Sequence, residues 1–417
     1  MQRTALAKGT MRMEIQDSKR MRNGDFERNT SASRITVPLS SPDIGDEERA
    51  AVLEVLGGRY LSLGPKLGEF EAALAEYTGS RYAVAVNSGT SALHLCMKAA
   101  EIQEGDEVIT TPFSFVASAN CILFEGGRPV FVDILPDTYE IDVAQIESAI
   151  TPRTRAILPV HVFGRPCAMA KILEIAERHG LRVIEDACEA IGARIGKTAV
   201  GAFGQTGVFA FYPNKQMTTG EGGAIVTDDA EIAALCRSWA NQGRGETGAW
   251  LLHERLGYNY RISDINCAIG VAQLRRLPEM LAARARVASL YSEMLRDCPQ
   301  IILPPPPGPG MEISWFVYVV RLRDEFSQRQ RDCVLKELRR HGIGCSNYFA
   351  PIHLQRFYRE LFGYGEGSFP VTEKMARRTI ALPFFNCLPK SMIEYICTTL
   401  HETLDSLEVG ITAGVSG

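Results

Sequence analysis

Apolar residues recur at helical spacing from Asp46 to Leu56 and stop at Gly57-Gly58, which marks a first helix with an easy left-handed exit. A second helical pattern covers Leu67 to Tyr77, and the short apolar run Tyr82 to Val86 reads as a buried strand feeding a helix over Ser91 to Ala100. From there the two periods alternate. Strand patterns at Glu107–Thr111, Pro129–Val132, Ala156–Val160 and Val183–Glu185 are separated by helical patterns at Ser118–Phe124, Val143–Ile150 and Ala168–His179. Such alternation predicts right-handed crossovers and a mainly parallel sheet with helices on both faces, an α/β domain. Gly207–Tyr212 and Ala224–Thr227 add two strands.

A helical pattern from Pro278 to Asp297 leads into the run Pro304 to Gly310, which can be neither helix nor central strand. Beyond it lie a strand pattern at Trp315–Leu322, a helix at Arg329–His341, a short strand at Ile380–Leu382 and a last helix at Lys390–Glu402. The expected organisation is a large α/β domain over 35–283, a smaller α+β domain over 284–409 and a loose tail over 410–417. Residues 1–34 are polar, without apolar period, and read as a disordered extension; a basic arm that docks on a partner subunit is the alternative.

Composition narrows the class. In 417 residues, 45 Lys and Arg face 49 Asp and Glu, so no basic field favours nucleic acid. The 11 cysteines are odd in number and contain no C-x-x-C pair, which speaks against a disulfide framework or thiolate metal site and for a reducing cytoplasm. No apolar run reaches bilayer length, so no membrane partner is expected.

Four segments then carry the chemistry. Lys215 stands where the strand pattern at 207–212 breaks into a glycine-rich turn, a place for an amine nucleophile or for a plain solvated loop lysine. Asp186 closes the strand at 181–186, at the carboxyl end where ligands of open α/β sheets lie; a helix cap or ion pair is the alternative. Its neighbour Glu185 points the other way along the strand. The turn Asn87-Ser-Gly-Thr-Ser-Ala92 offers helix N–H groups and the hydroxyls of Ser88, Thr90 and Ser91 to a phosphate, although Ser and Thr also cap helices routinely. In Thr111–Ser118, one of Phe113 and Phe115 can stack on a flat cofactor, and periodicity does not choose between them.

These segments, with Glu-Asp-Ala-Cys-Glu-Ala-Ile-Gly-Ala at 185–193, Tyr-Pro-Asn-Lys-Gln-Met-Thr-Thr-Gly-Glu-Gly-Gly at 212–223 and Leu-Gly-Tyr-Asn-Tyr-Arg-Ile-Ser at 256–263, resemble the DegT/DnrJ/StrS family of sugar aminotransferases over about 38–404. The resemblance implies the fold type I architecture of pyridoxal 5'-phosphate enzymes, with pyridoxamine 5'-phosphate as the alternate cofactor form. It implies that Lys215 forms the Schiff base, Asp186 pairs with the pyridinium nitrogen, Phe115 stacks on the ring, and Gly89 and Thr90 bind the phosphate. Asn259 and Arg261 would reach the cofactor phosphate of a neighbouring subunit, making a homodimer with shared sites. Tyr348 and His353 fall in a segment that lines the sugar pocket of relatives. Glu189, often Gln or His near the ring oxygen, and Ala210, often a phosphate-binding Ser, depart from the common pattern.

The implied reaction moves the amino group of L-glutamate to a nucleotide-linked keto-sugar, foremost an NDP-4-keto-6-deoxyhexose as in the perosamine branch. A 3-keto sugar or a cyclitol ketone of the inosose type is the alternative. Sugar dehydrases of the family carry His in place of the lysine, and a non-catalytic sugar sensor would be expected to lose Lys215 or Asp186; neither departure occurs here.

Overall fold

The structure is a computed structural model that describes residues 36–245 and 252–414, with side chains through Leu407. The expected extension at 1–34 lies outside the described residues. Described residues from Thr36 onward belong to one compact unit.

The strand patterns form a seven-stranded sheet. Its strands are β1 (Tyr82–Val86), β2 (Glu107–Thr110), β3 (Arg128–Phe131), β4 (Thr154–Ile157), β5 (Arg182–Asp186), β6 (Thr206–Ala210) and β7 (Gly223–Thr227), in the order β1-β7-β6-β5-β4-β2-β3. Only β7 runs against its neighbours; the remaining pairings in the sheet are parallel. Alternate side chains of each strand feed opposite faces. Thus Val84 and Val86 join Leu93, Ile184, Val208 and Ile225 on one face, while Ala83 and Ala85 join Phe70, Phe209, Val226 and Leu274 on the other. A sheet covered on both sides needs apolar runs rather than a half-polar pattern, which is why these strands were legible.

The helices that matter to the site are α1 (Asp46–Leu56), α2 (Pro65–Thr78), α3 (Gly89–Ala99), α4 (Ala117–Phe124), α5 (Met169–His179), α6 (Ala230–Ala240), α7 (Asp264–Met294), α8 (Gln328–Arg340) and α9 (Lys390–Gly414). Helix α7 corrects the sequence expectation. It begins 14 residues before Pro278, capped by the Ser263 hydroxyl, and carries that proline in its interior. The lost hydrogen bond at Pro278 is outweighed because the buried stripe Cys267, Val271, Leu274, Leu277, Met280, Val287 and Tyr291 runs unbroken past it.

The boundary expected between 283 and 284 therefore falls inside one continuous helix. The carboxyl half of α7 joins a second core with α8, α9 and a three-stranded sheet of β8 (Ile301–Ile302), β9 (Tyr318–Leu322) and β10 (Thr379–Leu382). Helix α9 also runs past Glu402 and past Gly410, where a tail was expected. Its buried positions Ile393, Ile396, Leu400 and Leu404 keep helical spacing beyond the expected end. Among the described residues no helix is long and apolar enough to cross a membrane, and the 11 cysteines are free thiols.

Candidate active site

Strands β6 and β7 pair antiparallel, with Ala210 opposite Gly223, and the chain between them holds Lys215. This connection is tied down rather than loose. Phe211 donates its N–H to the Gly222 carbonyl at 2.9 Å, Thr219 N–H returns to the Phe211 carbonyl at 3.0 Å, and Lys215 N–H meets the Tyr212 carbonyl at 2.9 Å. Gly220 takes φ +83°, a left-handed turn that glycine adopts without Cβ strain. The turn aims Lys215 into a cavity of about 440 Å³. There its Nζ lies 4.0 Å from the Phe316 ring centroid and 3.6 Å from Glu189 Oε1. Lys215 is thus an enclosed amine between an aromatic face and one carboxyl, and not a solvated loop residue.

Asp186 ends β5 at the cavity wall and is 4% exposed. Its Oδ2 accepts the Ser118 hydroxyl at 2.6 Å and its Oδ1 accepts the Cys188 N–H at 3.1 Å. Among the described residues no cation pairs with it within 4 Å. Two neutral donors fix its orientation and leave its charge available to a ligand.

Glu185, one position earlier, faces the opposite way as alternation requires. Its carboxylate takes N–H groups of Gly201, Phe203 and Gly204 and contacts His161 Nε2 at 3.0 Å. It is a scaffold group.

The Asn87–Ala92 turn fits a phosphate through its main chain more than through its hydroxyls. Ser88 Oγ accepts the Ser91 N–H at 3.1 Å, and Ser91 Oγ donates to Asn87 Oδ1 at 2.7 Å, so these two hydroxyls serve the helix cap. The Gly89 and Thr90 N–H groups, in the first turn of α3, have no partner among the described residues, and both residues line the cavity. A helix N-terminus with free N–H groups is the arrangement that holds anions.

Close packing secures this turn. A Cβ on Gly89 would lie 2.7 Å from Ala210 Cβ, and one on Gly223 would lie 2.4 Å from the Ser88 carbonyl carbon. A serine hydroxyl at 210 would have added a donor; Ala210 leaves the cradle to main-chain N–H groups and Thr90.

The ambiguity between the two phenylalanines is resolved. Phe113 is 0% exposed and packs edge-to-face on Phe163 and Phe349 and stacks on Tyr139, whereas Phe115 is 62% exposed and lines the cavity. Phe113→Ala is expected to cost about 3–5 kcal/mol of stability, as for a large core truncation. Phe115→Ala should leave thermal unfolding nearly unchanged while weakening retention of pyridoxal phosphate; equal loss of stability in both variants would contradict this assignment.

Glu189 is buried, and burial pushes its pKa up against the pull of the Lys215 charge and the Phe163 N–H, which its Oε2 accepts at 2.9 Å. Its carboxyl therefore keeps a proton to higher pH than an exposed glutamate, directly beside the amine. Tyr348 lines the cavity.

His353 does not come to the cavity: it is fully buried, its Nε2 3.1 Å from Glu373 Oε1 and its ring edge-on to Phe369. The apolar pattern of Pro351-Ile352 around it folds inward and takes the histidine along. Asn259 and Arg261 also lie outside this cavity, on the segment bridged to Asn241, where Arg261 Nη1 meets Asn241 Oδ1 at 3.0 Å and Asn259 is exposed.

Sequence reasoning missed Ser118, Cys188 and Phe316, which complete the site through Asp186 and Lys215. Ser118 reads as an ordinary helix residue, and Phe316 as one more apolar residue of a strand pattern. Among the described residues no group of three or more His, Cys, Asp or Glu is placed to hold a metal.

Taken together, a carboxylate without a cationic partner, an anion cradle of free N–H groups, a solvent-facing ring and an enclosed amine suit a flat, phosphate-bearing pyridine aldehyde. Asn214 Oδ1, a buried acceptor in the cavity wall with no partner, also waits for a donor.

Comparison with known proteins agrees with this chemistry. The DegT/DnrJ/EryC1/StrS aminotransferase family model matches residues 42–401. GDP-perosamine synthase of Caulobacter vibrioides is 38% identical over 370 residues, covering 88% of this chain and 98% of its own length. Among solved structures, S. venezuelae DesV, captured with a ketimine intermediate, is 36% identical with a TM-score of 0.79, over 85% of this chain and 94% of its own. Helicobacter pylori PseC, an aminotransferase of pseudoaminic acid biosynthesis, is 29% identical with a TM-score of 0.85, over 89% of this chain and all of its own. The chain belongs to the DegT/DnrJ/EryC1/StrS aminotransferase family and is a pyridoxal-phosphate-dependent sugar aminotransferase.

Proposed function

We propose that this chain moves the amino group of L-glutamate to the carbonyl carbon of a nucleotide-linked 4-keto-6-deoxyhexose, releasing 2-oxoglutarate and the nucleotide-linked amino sugar. The observation that carries the reading is the Lys215 amine, enclosed under Phe316 in the same cavity as the Asp186 carboxylate. When bound, pyridoxal phosphate supplies an aldehyde and an electron-withdrawing ring, which makes a proton on the donor's α-carbon acidic. Asp186 would hold the pyridine nitrogen protonated, with Ser118 and Cys188 fixing the carboxylate plane. Gly89 and Thr90 would hold the phosphate, and Phe115 would cover a ring face. Lys215 Nζ takes the proton from the donor's α-carbon and delivers one to the acceptor carbon, and Glu189, 3.6 Å away, keeps a second proton in reach.

The acceptor class rests on the kinship with GDP-perosamine synthase and on Tyr348 at the cavity wall, where its ring and hydroxyl suit a sugar. Asn259 and Arg261, away from the cavity of their own chain, are assigned to the cofactor phosphate of a second copy, so that the working unit is a homodimer.

The test loads the enzyme with pyridoxamine phosphate and offers GDP-, UDP- and dTDP-4-keto-6-deoxyhexoses, a 3-keto sugar and an inosose. Each reaction is followed by absorbance and by mass of the product. A 4-keto-6-deoxyhexose should be aminated at least about tenfold faster than the others, a difference of about 1.4 kcal/mol in the barrier. Amination of the inosose alone would overturn the acceptor assignment. For the donor, ¹⁵N-glutamate should label the product, and labelling only from another amino acid would overturn that part.

A further inference from the structure

Arg284 stands on α7 and is 2% exposed. Its Nη2 donates to the Lys215 carbonyl at 2.9 Å, and its Nη1 donates to the carbonyls of Phe316 at 3.0 Å and Trp315 at 3.4 Å. Among the described residues no carboxylate pairs with it within 4 Å, and its Nε is buried without a partner. The Phe384 ring, 5.5 Å from Cζ, packs against the guanidinium.

Burying a guanidinium whose only opposing charge is the more distant Asp43 carboxylate costs on the order of several kcal/mol, and an apolar side chain of similar length would avoid that penalty while leaving the Lys215 and Phe316 carbonyls without this donor. Burial pulls the arginine pKa down to about 10, so the group remains charged at neutral pH despite the cost. Charge pairing gives no reason for an arginine here.

The three carbonyls do. Lys215 and Phe316 lie on segments far apart in the chain, yet the amine of one sits 4.0 Å from the ring of the other. The Gln216 side chain also bridges the two segments, its Nε2 donating to the Ser314 carbonyl at 2.9 Å, but Arg284 is the described side chain that bonds the carbonyls of Lys215 and Phe316 themselves. A guanidinium is a rigid planar fork whose two NH₂ arms have a fixed separation, and it can hold two main chains at a set distance; a flexible ammonium cannot.

We infer that Arg284 is a positioning residue for the reacting lysine: it clamps the main chain of Lys215 to that of Phe316 and so fixes the amine beneath the Phe316 ring. The inference rests on Lys215 being the residue that links to the cofactor. Misplacing a reacting group by about 1 Å can cost on the order of 10²-fold in rate, so a residue that touches neither cofactor nor substrate can govern the chemical step.

The experiment uses the full chain, stripped of cofactor and then mixed with saturating pyridoxal phosphate. Covalent capture is followed over time by borohydride trapping and mass spectrometry, alongside kcat, KM for the donor and thermal unfolding. Arg284→Met and Arg284→Lys should each slow capture and lower kcat by about tenfold or more, with KM for the donor within about threefold of the parent. Arg284→Lys should fail to rescue, because it keeps the charge and loses the fork.

Phe316→Leu should slow capture on its own, and adding Arg284→Met to it should slow capture little further, since both act on one contact. Capture at the parental rate in Arg284→Lys would overturn the inference, as would fully additive effects of Arg284→Met and Phe316→Leu. If Arg284→Met fails to fold, Arg284→Lys decides. Lys215→Ala separates the two readings: capture that persists in it defeats the lysine assignment, whereas capture lost there and unchanged in Arg284→Lys defeats only the role of Arg284.

Discussion

Lys215→Ala is expected to lower multiple-turnover transamination by about 10³-fold or more and to leave no cofactor that borohydride can fix to the chain. In the proposed mechanism one side chain supplies both the covalent link and the proton transfer, and general acid–base catalysis alone contributes about 10²–10⁴-fold. The fold should survive: Lys215 is held through its main chain by Tyr212 and Arg284, and those hydrogen bonds do not need the side chain. Loss of activity with unchanged thermal unfolding of the cofactor-free protein is the expected pair of results. Sustained turnover in the variant would remove Lys215 from the mechanism.

Asp186→Asn should lower kcat by about 10²–10³-fold, the range seen when one preorganised electrostatic group is lost, about 2.7–4 kcal/mol. The substitution is nearly isosteric but mismatched. Asp186 receives Ser118 Oγ–H on one oxygen and Cys188 N–H on the other, and an amide has only one acceptor oxygen. The NH₂ group must therefore face a donor until the Ser118 hydroxyl turns away, and the charge proposed to meet the pyridine nitrogen is gone in either case. Spectra of the bound cofactor should change together with kcat. A variant with parental kcat would show that the carboxylate does not serve the ring.

The central sheet was legible because strands covered on both faces write themselves as apolar runs bounded by turns. Lys215, Asp186 and Gly89-Thr90 were legible for a related reason: each stands where an apolar period stops at a strand end or helix start, and chain-end geometry of that kind is local. What escaped depended on distant partners. Whether Phe113 or Phe115 meets the cavity is decided by Phe163 and Phe349, which no local period reveals. The Ser88 hydroxyl caps the helix through Ser91 N–H as well as lining the cavity, a second duty that the local sequence does not separate from the first. His353 looked available and is enclosed against Glu373. Pro278 looked like a helix start because local propensity cannot weigh a buried stripe that continues on both sides. Arg284 left no signal, since an arginine in a helical pattern reads as surface.

The two adjacent acids of β5 serve opposite faces of the sheet. Glu185 gathers three main-chain N–H groups and His161 on one side of the sheet, and Asp186 faces the cavity on the other. Two residues of nearly the same chemistry are given separate duties by parity alone. A one-residue slip in β5 would break the division: an insertion would carry Glu185, one methylene longer, to the cavity side and Ile184 among the donors, while a deletion would carry Asp186 to the donors and leave Ala187 at the cavity. The strand's count of residues is thus as much a part of the catalyst as the carboxylate it presents.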